Sequence, residues 1–539
     1  MSRTEPSGRD SSLVRVTVGG FESQSATEWP ADDRTSPARR DRRTLETASD
    51  AADGVDVLEV GSTGARALEP LVLVTREGRT AYHPRPSAER TRALVEAAES
   101  GGVGADDAAW VVEHDPGVET LPRPPDGPLS VGTRRALGGC GWTDPEGRVA
   151  AYADATALAR DDPDAALDRL REIGVLGRGR GDASADAPVA DDLSTVRETP
   201  GDPVVVVNAN ESDRRNETDR TLLGGAPASV LDGALAVAAV VGADPGDVVV
   251  YTNEADDLAR DRTRRAARAI AERVGGGADD DAETPQVVAG PDEFIAGEPT
   301  MALEALEGND RLEARLRPPG PARHGLYGRP TVVHTPRTLA QIRAALLDPD
   351  SFDAGPDPGT RLFTVTGDVE APATVELPTG ESLARVRDAV EPEGRVATAC
   401  VGGQFGGFAR SLDLSASSPA LTDADLGTEG AVELFGEDRC PVATTGRRVR
   451  FATEENCGRC FPCREGSKQL LDLLRDVYDG SYDDDMIREL ARTMGASSLC
   501  LFGESAGRTV GTALDRFETE FEAHADGRCP SGVCEVSRS

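Results

Sequence analysis

The stretch "ENCGRCFPCREG", residues 455–466, places Cys457, Cys460 and Cys463 within seven positions of a 539-residue chain that has nine cysteines. Cys-x2-Cys-x2-Cys brings three thiolates close enough to cap three corners of an iron–sulfur cube, with the fourth thiolate supplied from farther along the chain. Zinc more often takes cysteines in separated pairs. Cys500, in "SSLCLFGES", follows a second helical segment, "DDDMIRELARTMG", that can return the chain to the triplet. The spacing therefore predicts a [4Fe–4S] cluster on Cys457, Cys460, Cys463 and Cys500. A helix starting near Arg464 would aim its free N–H groups at the anionic cluster.

Clustered cysteines imply metal rather than disulfides where the compartment is reducing. No signal peptide is read at the start, and the longest apolar run, "ALAVAAVVGA" at 234–243, is too short to cross a bilayer. The expectation is a cytoplasmic protein without a membrane span. Charge narrows the setting further: 95 Asp and Glu face 59 Lys and Arg, a formal net charge of −36, and the one lysine is Lys468. The carboxylates are spread along the chain between periodic apolar blocks, which predicts a folded, halophilic protein with a strongly hydrated surface rather than a disordered acidic one. Nucleic acid is excluded as a partner, since no basic patch exists to displace its counterions.

The length calls for several domains. The first fifty residues offer a strand or two and a helix around "LVRVTV" and "SPARRDRRTLETASDAADG". "VDVLEV", "LVLVT" and "TAYH" then read as strands and "SAERTRALVEAAES" as a helix, making a small α/β unit over 1–105. Strand and helix patterns alternate from 203 to 290 in the manner of a βαβ layered sheet. Residues 359–392 read as strands followed by a helix, "SLARVRDAV", and from about 446 the pattern is helical, with Leu470, Leu471, Leu473, Leu474 and Val477 on one apolar side.

The block Glu455–Gly466 followed by "SLCLFGESA" resembles the cluster region of the NADH-binding flavoprotein (51 kDa-type) subunit of respiratory complex I, a family shared with the diaphorase subunits of NAD-linked hydrogenases and formate dehydrogenases. "GGCGWTDP", "GEPTMALEALEG", "GLYGRPTVV", "GTRLFTVTGDV" and "VGGQFGGF" follow in the family's order, so the resemblance covers nearly the whole chain. It implies an α/β fold in four parts. These are a thioredoxin-like, degenerate ferredoxin unit over 1–105, an FMN- and NADH-binding-type α/β domain over 125–345, a ubiquitin-like β-grasp module over 346–430, and a C-terminal helical iron–sulfur domain over 431–539.

Several motifs depart from the family. The glycine-rich loop that cradles FMN and NADH in relatives reads "GRGRGDASADAPVADD" here. Gly177, Arg178 and Gly179 match, Arg180 takes a glycine place, and Asp182, Asp186, Asp191 and Asp192 are expected to bring negative charge where phosphates would sit. "NANESDRRNETDR" keeps Asn208, Glu211, Asp219 and Arg220 but loses central glycines; "HTPRT" puts His334, Thr335, Pro336 and Arg337 in the flavin-contacting segment; Glu298 stands beside Pro299 where relatives pair two glutamates. Near the N-terminus Ser62 and Arg66 occupy the two cysteine places of the family's [2Fe–2S] motif, and no cysteine precedes Cys140.

The resemblance thus implies a [4Fe–4S] electron-transfer protein with eroded FMN and NADH sites, carried by Gly177, Arg178, Gly179, Asn208, Glu211 and Glu298. Its partners would be other redox subunits or a ferredoxin-like acceptor. Two alternatives stay open: a non-enzymatic subunit that organises a redox complex, and an active NADH:acceptor oxidoreductase with FMN. At the tail, "HADGRCPSGVC" sets His524, Cys529 and Cys534 near zinc-ligand spacing, and Cys440 in "FGEDRCPV", chosen over Cys140 and Cys400, completes an expected zinc set.

Overall fold

A computed structural model describes residues 12–19, 37–145, 153–274 and 284–535. Three sheets and a helical C-terminal region account for most of it. The segments of the first fifty residues at 1–11 and 20–36 lie outside the described residues.

The first sheet holds β1 (Leu13–Thr17), β2 (Asp56–Val60), β3 (Leu71–Arg76), β4 (Arg79–Pro84) and β5 (Trp110–Glu113) in the order β2-β1-β3-β4-β5. β1 and β2 are parallel and the other pairs antiparallel. Alternation of Val14 and Val16, and of Val72 and Val74, sends one face into a core shared with Leu94 and Val95 of helix Ala88–Glu99. The sheet runs past the residue 105 limit read from sequence, because the short "WVVE" strand closes its edge.

The second sheet is wholly parallel: β6 (Val204–Ala209), β7 (Val248–Asn253), β8 (Gln286–Gly290) and β9 (Thr331–His334), in the order β8-β7-β6-β9. β6 and β7 are buried at every position, as parallel strands covered on both faces must be. Helix Pro227–Val241, apolar but for Ser229 and the buried Asp232, packs into the core against this sheet. At its centre Gly233 meets the backbone of Leu339 so closely that a Cβ would lie 2.2 Å from that carbonyl oxygen, which fixes how near helix Pro336–Leu347 can come. The carboxyl ends of β6 and β9 open toward one cleft, the usual ligand position of parallel sheets.

The third sheet comprises β10 (Thr360–Gly367), β11 (Ala373–Pro378), β12 (Val396–Val401), β13 (Gly407–Ala409) and β14 (Ala431–Gly436), ordered β11-β10-β14-β12-β13. The last strand enters parallel to β10 at the centre of the sheet. A boundary at residue 430 therefore cuts the sheet, since β14 is a short apolar run with no local mark of its distant partner. "SLARVRDAV" forms a 3-10 helix, Leu383–Ala389, rather than an α-helix.

Helices Pro441–Glu454, Phe461–Asp476, Asp484–Ser497, Leu501–Ala506 and Arg508–Ala525 form the C-terminal bundle around Leu470, Leu474, Met494, Val510 and Phe521. No single helix among the described residues is long and apolar enough to cross a membrane.

The first sheet is tied to the second by Arg262, which is 1% exposed. Its guanidinium donates to the carbonyls of Val18 (3.0 Å) and Gly224 (2.6 Å) and pairs with Glu59. Arg262→Met would strand two buried carbonyls, at about 1–3 kcal/mol each. The expected result is a lowered unfolding midpoint and earlier proteolysis within residues 37–113; an unchanged midpoint would contradict it.

Candidate functional site

Cys457, Cys460, Cys463 and Cys500 line one recess, with Ile295, Met301, Ala314 and Phe502 as its apolar wall. Helix Phe461–Asp476 begins three residues earlier than the sequence suggests, with Cys460 at its N-cap and Cys463 in its first turn. Cys500 sits at the N-cap of Leu501–Ala506. Gly503 permits the close approach, since a Cβ there would lie 3.0 Å from the Cys463 Cβ. Burial, then the neighbouring thiols, pushes the Cys463 thiol up, and burial, then Glu298, pushes Cys500 up to about 12. These thiols are costly to ionise without a cation among them.

A second group is tighter. Cys440, His524, Cys529 and Cys534 place one ligand atom each within 4.8 Å of one another, the separation a single ion needs. His524 Nδ1 lies 2.6 Å from the Glu520 carbonyl, which leaves Nε2 turned to the Cys440 sulfur at 3.4 Å. Tyr478 packs edge-on against the His524 ring and its hydroxyl lies 3.8 Å from the Cys534 sulfur. Of the remaining cysteines, Cys140 lies under helix Thr218–Gly225 with its thiol toward the Thr221 carbonyl, and Cys400 is buried in β12; burial pushes both up to about 12.

The cleft at the carboxyl ends of β6 and β9 has about 580 Å3 of space and is lined by Arg180, Asn208, Glu211, Asp213, Asp219, Arg337, Glu429, Phe294, Phe405 and Phe502 among others. Arg337 fills its floor. The guanidinium pairs with Asp219 (2.6 Å) and Glu211 (3.1 Å) and donates to the Glu429 carbonyl (2.7 Å). Gly179, at φ +84°, is the backbone against which it lies: a Cβ there would be 2.9 Å from the Arg337 Cζ. Glu211 also accepts from Thr218 Oγ1 and from the N–H groups of Asp219 and Arg220, stapling the start of helix Thr218–Gly225.

Asn208 and Glu211 are thus brought together in the cleft, while Gly177, Arg178, Gly179 and Glu298 stand behind it. Asn208 Nδ2 donates to the carbonyls of Gly181 (2.9 Å) and Gly297 (3.1 Å). Arg178 is buried against Asp357 (2.7 Å) at the third sheet. Glu298 caps helix Pro299–Leu306, accepting from the N–H groups of Thr300 and Met301, and pairs with Arg317 (2.8 Å).

The expectation that four aspartates occupy the phosphate place is corrected. Asp182 is fully engaged with His334 (3.0 Å), Thr338 (2.7 Å) and the Ser184 N–H (2.8 Å). Asp186 pairs with Arg361, Asp192 accepts from Ser184, and Asp191 lies in the first turn of helix Val189–Glu198. The carboxylates that do line the cleft are Glu211, Asp213, Asp219 and Glu429. Sequence reading missed Asp213, which lies inside "NANESDRRNETDR" but not at a place the family motif marks, and Glu429, whose neighbours in the chain carry no motif.

Residues 443–524 match the family model of the NADH-ubiquinone oxidoreductase-F iron-sulfur binding region, and residues 170–344 match the Nuo51 FMN-binding domain. The chain is 31% identical to the F subunit of the NADH-quinone oxidoreductase of Streptomyces coelicolor, over 68% of this chain and 85% of the relative. It is 30% identical to the HndC subunit of the NADP-reducing hydrogenase of Solidesulfovibrio fructosivorans, over 74% and 85%. The chain belongs to the family of NADH-quinone oxidoreductase F subunits. The fold of this family member is also that of NAD+-reducing [NiFe]-hydrogenase in its air-oxidized state, with a TM-score of 0.63 at 24% identity over 96% of this chain and 86% of that one.

In this member of the F-subunit family, burial first and then Asp219 push Glu211 up from its ordinary value near 4.5, against the pull of Arg337. The folded state therefore holds a proton that the unfolded chain gives up above about pH 4.5, and stability is lost as pH rises toward neutrality. Relative to Glu211→Gln, the wild type should lose on the order of 2 kcal/mol of unfolding free energy between about pH 5 and pH 8. A pH-independent difference in paired denaturant titrations would contradict this.

Proposed function

We propose that this chain is a [4Fe–4S] electron-transfer subunit of NADH dehydrogenase flavoprotein type in which an internal charge network has taken over the flavin and NADH site. Cys457, Cys460, Cys463 and Cys500 would hold the cluster, which supplies one-electron chemistry when bound. The fit rests on four thiols around one recess, two of them at helix N-caps.

FMN does not fit the residues present. A phosphate needs uncommitted N–H donors or cations, yet the cleft sets four carboxylates against Arg180 and Arg337; Arg337 is spent on Asp219, Glu211 and the Glu429 carbonyl, and Arg180, though without an ion pair among the described residues, is laid on the Phe294 ring and bonded to Ser212. A second reading, an NADH:acceptor oxidoreductase with FMN, is favoured by the match to the FMN-binding domain over 170–344. The order of the first sheet supports a thioredoxin-like unit and that of the third a ubiquitin-like module. The relatives' names point to partner subunits of a redox complex. The acidic surface suits concentrated salt, so the tests below belong in high salt.

Protein purified anaerobically should contain one cluster's iron and sulfide per chain, with no flavin absorption and little NADH-dependent dye reduction. Cys460→Ser should remove the cluster signal. Iron near zero would reject the ligand set; bound FMN with rapid NADH oxidation would favour the second reading.

Cys440, His524, Cys529 and Cys534 form a closed three-sulfur, one-nitrogen donor set of the kind structural zinc takes, and binding there would pin the tail to the bundle. Stoichiometric zinc, lost in Cys529→Ser together with protease protection of residues 526–535, is the expected result. Wild-type protein without zinc, or unchanged metal content in the variant, would refute it.

A further inference from the structure

Arg180, which the family resemblance sets at a glycine place, carries a side chain that reaches the wall between the two cavities. Its Cζ lies 3.9 Å from the centroid of the Phe294 ring, and its Nη2 donates to Ser212 Oγ at 3.1 Å. Gly297 makes room, since a Cβ there would come within 2.7 Å of that nitrogen. Phe294 meets Phe502 edge-on at 5.7 Å between centroids, and Phe502 walls both the cleft and the thiol recess. Nothing but aromatic packing therefore separates the guanidinium from the recess on this path. Among the described residues Arg180 makes no ion pair within 4.0 Å. This differs from Arg337, Arg317 and Arg508, each of which is paired with a carboxylate.

We infer that Arg180 acts as a built-in cation for the iron–sulfur cluster, raising its reduction potential from the place that the flavin site has vacated. Reduction of the cluster adds one electron, supplied in the test by dithionite, with no bond made or broken and no proton taken up. The extra negative charge is stabilised by a fixed positive charge across a poorly polarisable wall, where screening by solvent is weak. Burial lowers the Arg180 value first, and Asp213, Glu298, Glu429 and then Cys500 act on it through space in the opposite sense, none of the three carboxylates forming an ion pair with it among the described residues. Arg180 is a positioning and tuning residue here; it touches no cluster ligand. This inference rests on the proposed loss of the flavin site, and flavin content measured on the same samples separates the two.

The test is an anaerobic redox titration of the full-length holoprotein in high salt, followed by electron paramagnetic resonance. Arg180→Gln should make reduction about tenfold less favourable, a shift of about 59 mV to lower potential for one electron. Arg180→Lys should restore most of it. Arg180→His keeps the test open should the glutamine variant lose its cluster: its potential should fall with rising pH as the imidazole discharges, by more than the wild type's does. Equal potentials in wild type and Arg180→Gln, a lysine variant as low as the glutamine one, or a histidine variant with the wild-type pH dependence would each overturn the inference. Flavin in the wild-type sample would instead overturn the reading on which it rests.

Discussion

The guanidinium of Arg337 is held between Asp219 and Glu211, all three more than nine-tenths buried, and the organisation of the cleft follows from that pairing. A buried cation of this kind is stable only with a counter-charge in contact, which Asp219 supplies throughout and Glu211 joins as it gives up its proton toward neutral pH, and removing Asp219 would leave the cation stranded at several kcal/mol. The chain therefore cannot hold Arg337 in place and offer the same space to a phosphate. Asp182 and His334 pair in the same way one strand end away. The charges of this interior therefore come as matched sets.

Below this network the cluster region is intact in all that metal binding asks of it. Thiols buried as deeply as Cys463 and Cys500 resist ionisation, and metal is what turns their ionisation into folding energy. Phe294, Phe405, Phe451 and Phe502 interlock edge-to-face between the cleft and the recess, so the two sites share a wall. Charge on one side of that wall acts on chemistry on the other.

What the sequence made legible is local. The Cys-x2-Cys-x2-Cys run, the all-apolar strands β6 and β7 and the apolar helix Pro227–Val241 each carry their signal within a few residues. The grouping of Cys440 with a tail 84 to 94 positions away came from the family's pattern rather than from spacing. The charges of "GRGRGDASADAPVADD" were legible as charges, but not their partners. Asp182 finds His334 across 152 positions and Asp186 finds Arg361 across 175, and a pairing at that range leaves no periodic trace. For the same reason the sequence placed β14 outside the sheet that it centres.

With its cleft filled by charge pairs, the proposed protein carries one redox centre, the cluster. A coulometric reductive titration of the anaerobically purified, as-isolated protein in high salt counts electrons directly, and zinc, which has no redox chemistry, does not enter the count. The account predicts uptake of one electron per chain. Uptake of three, two by a flavin and one by the cluster, would contradict it.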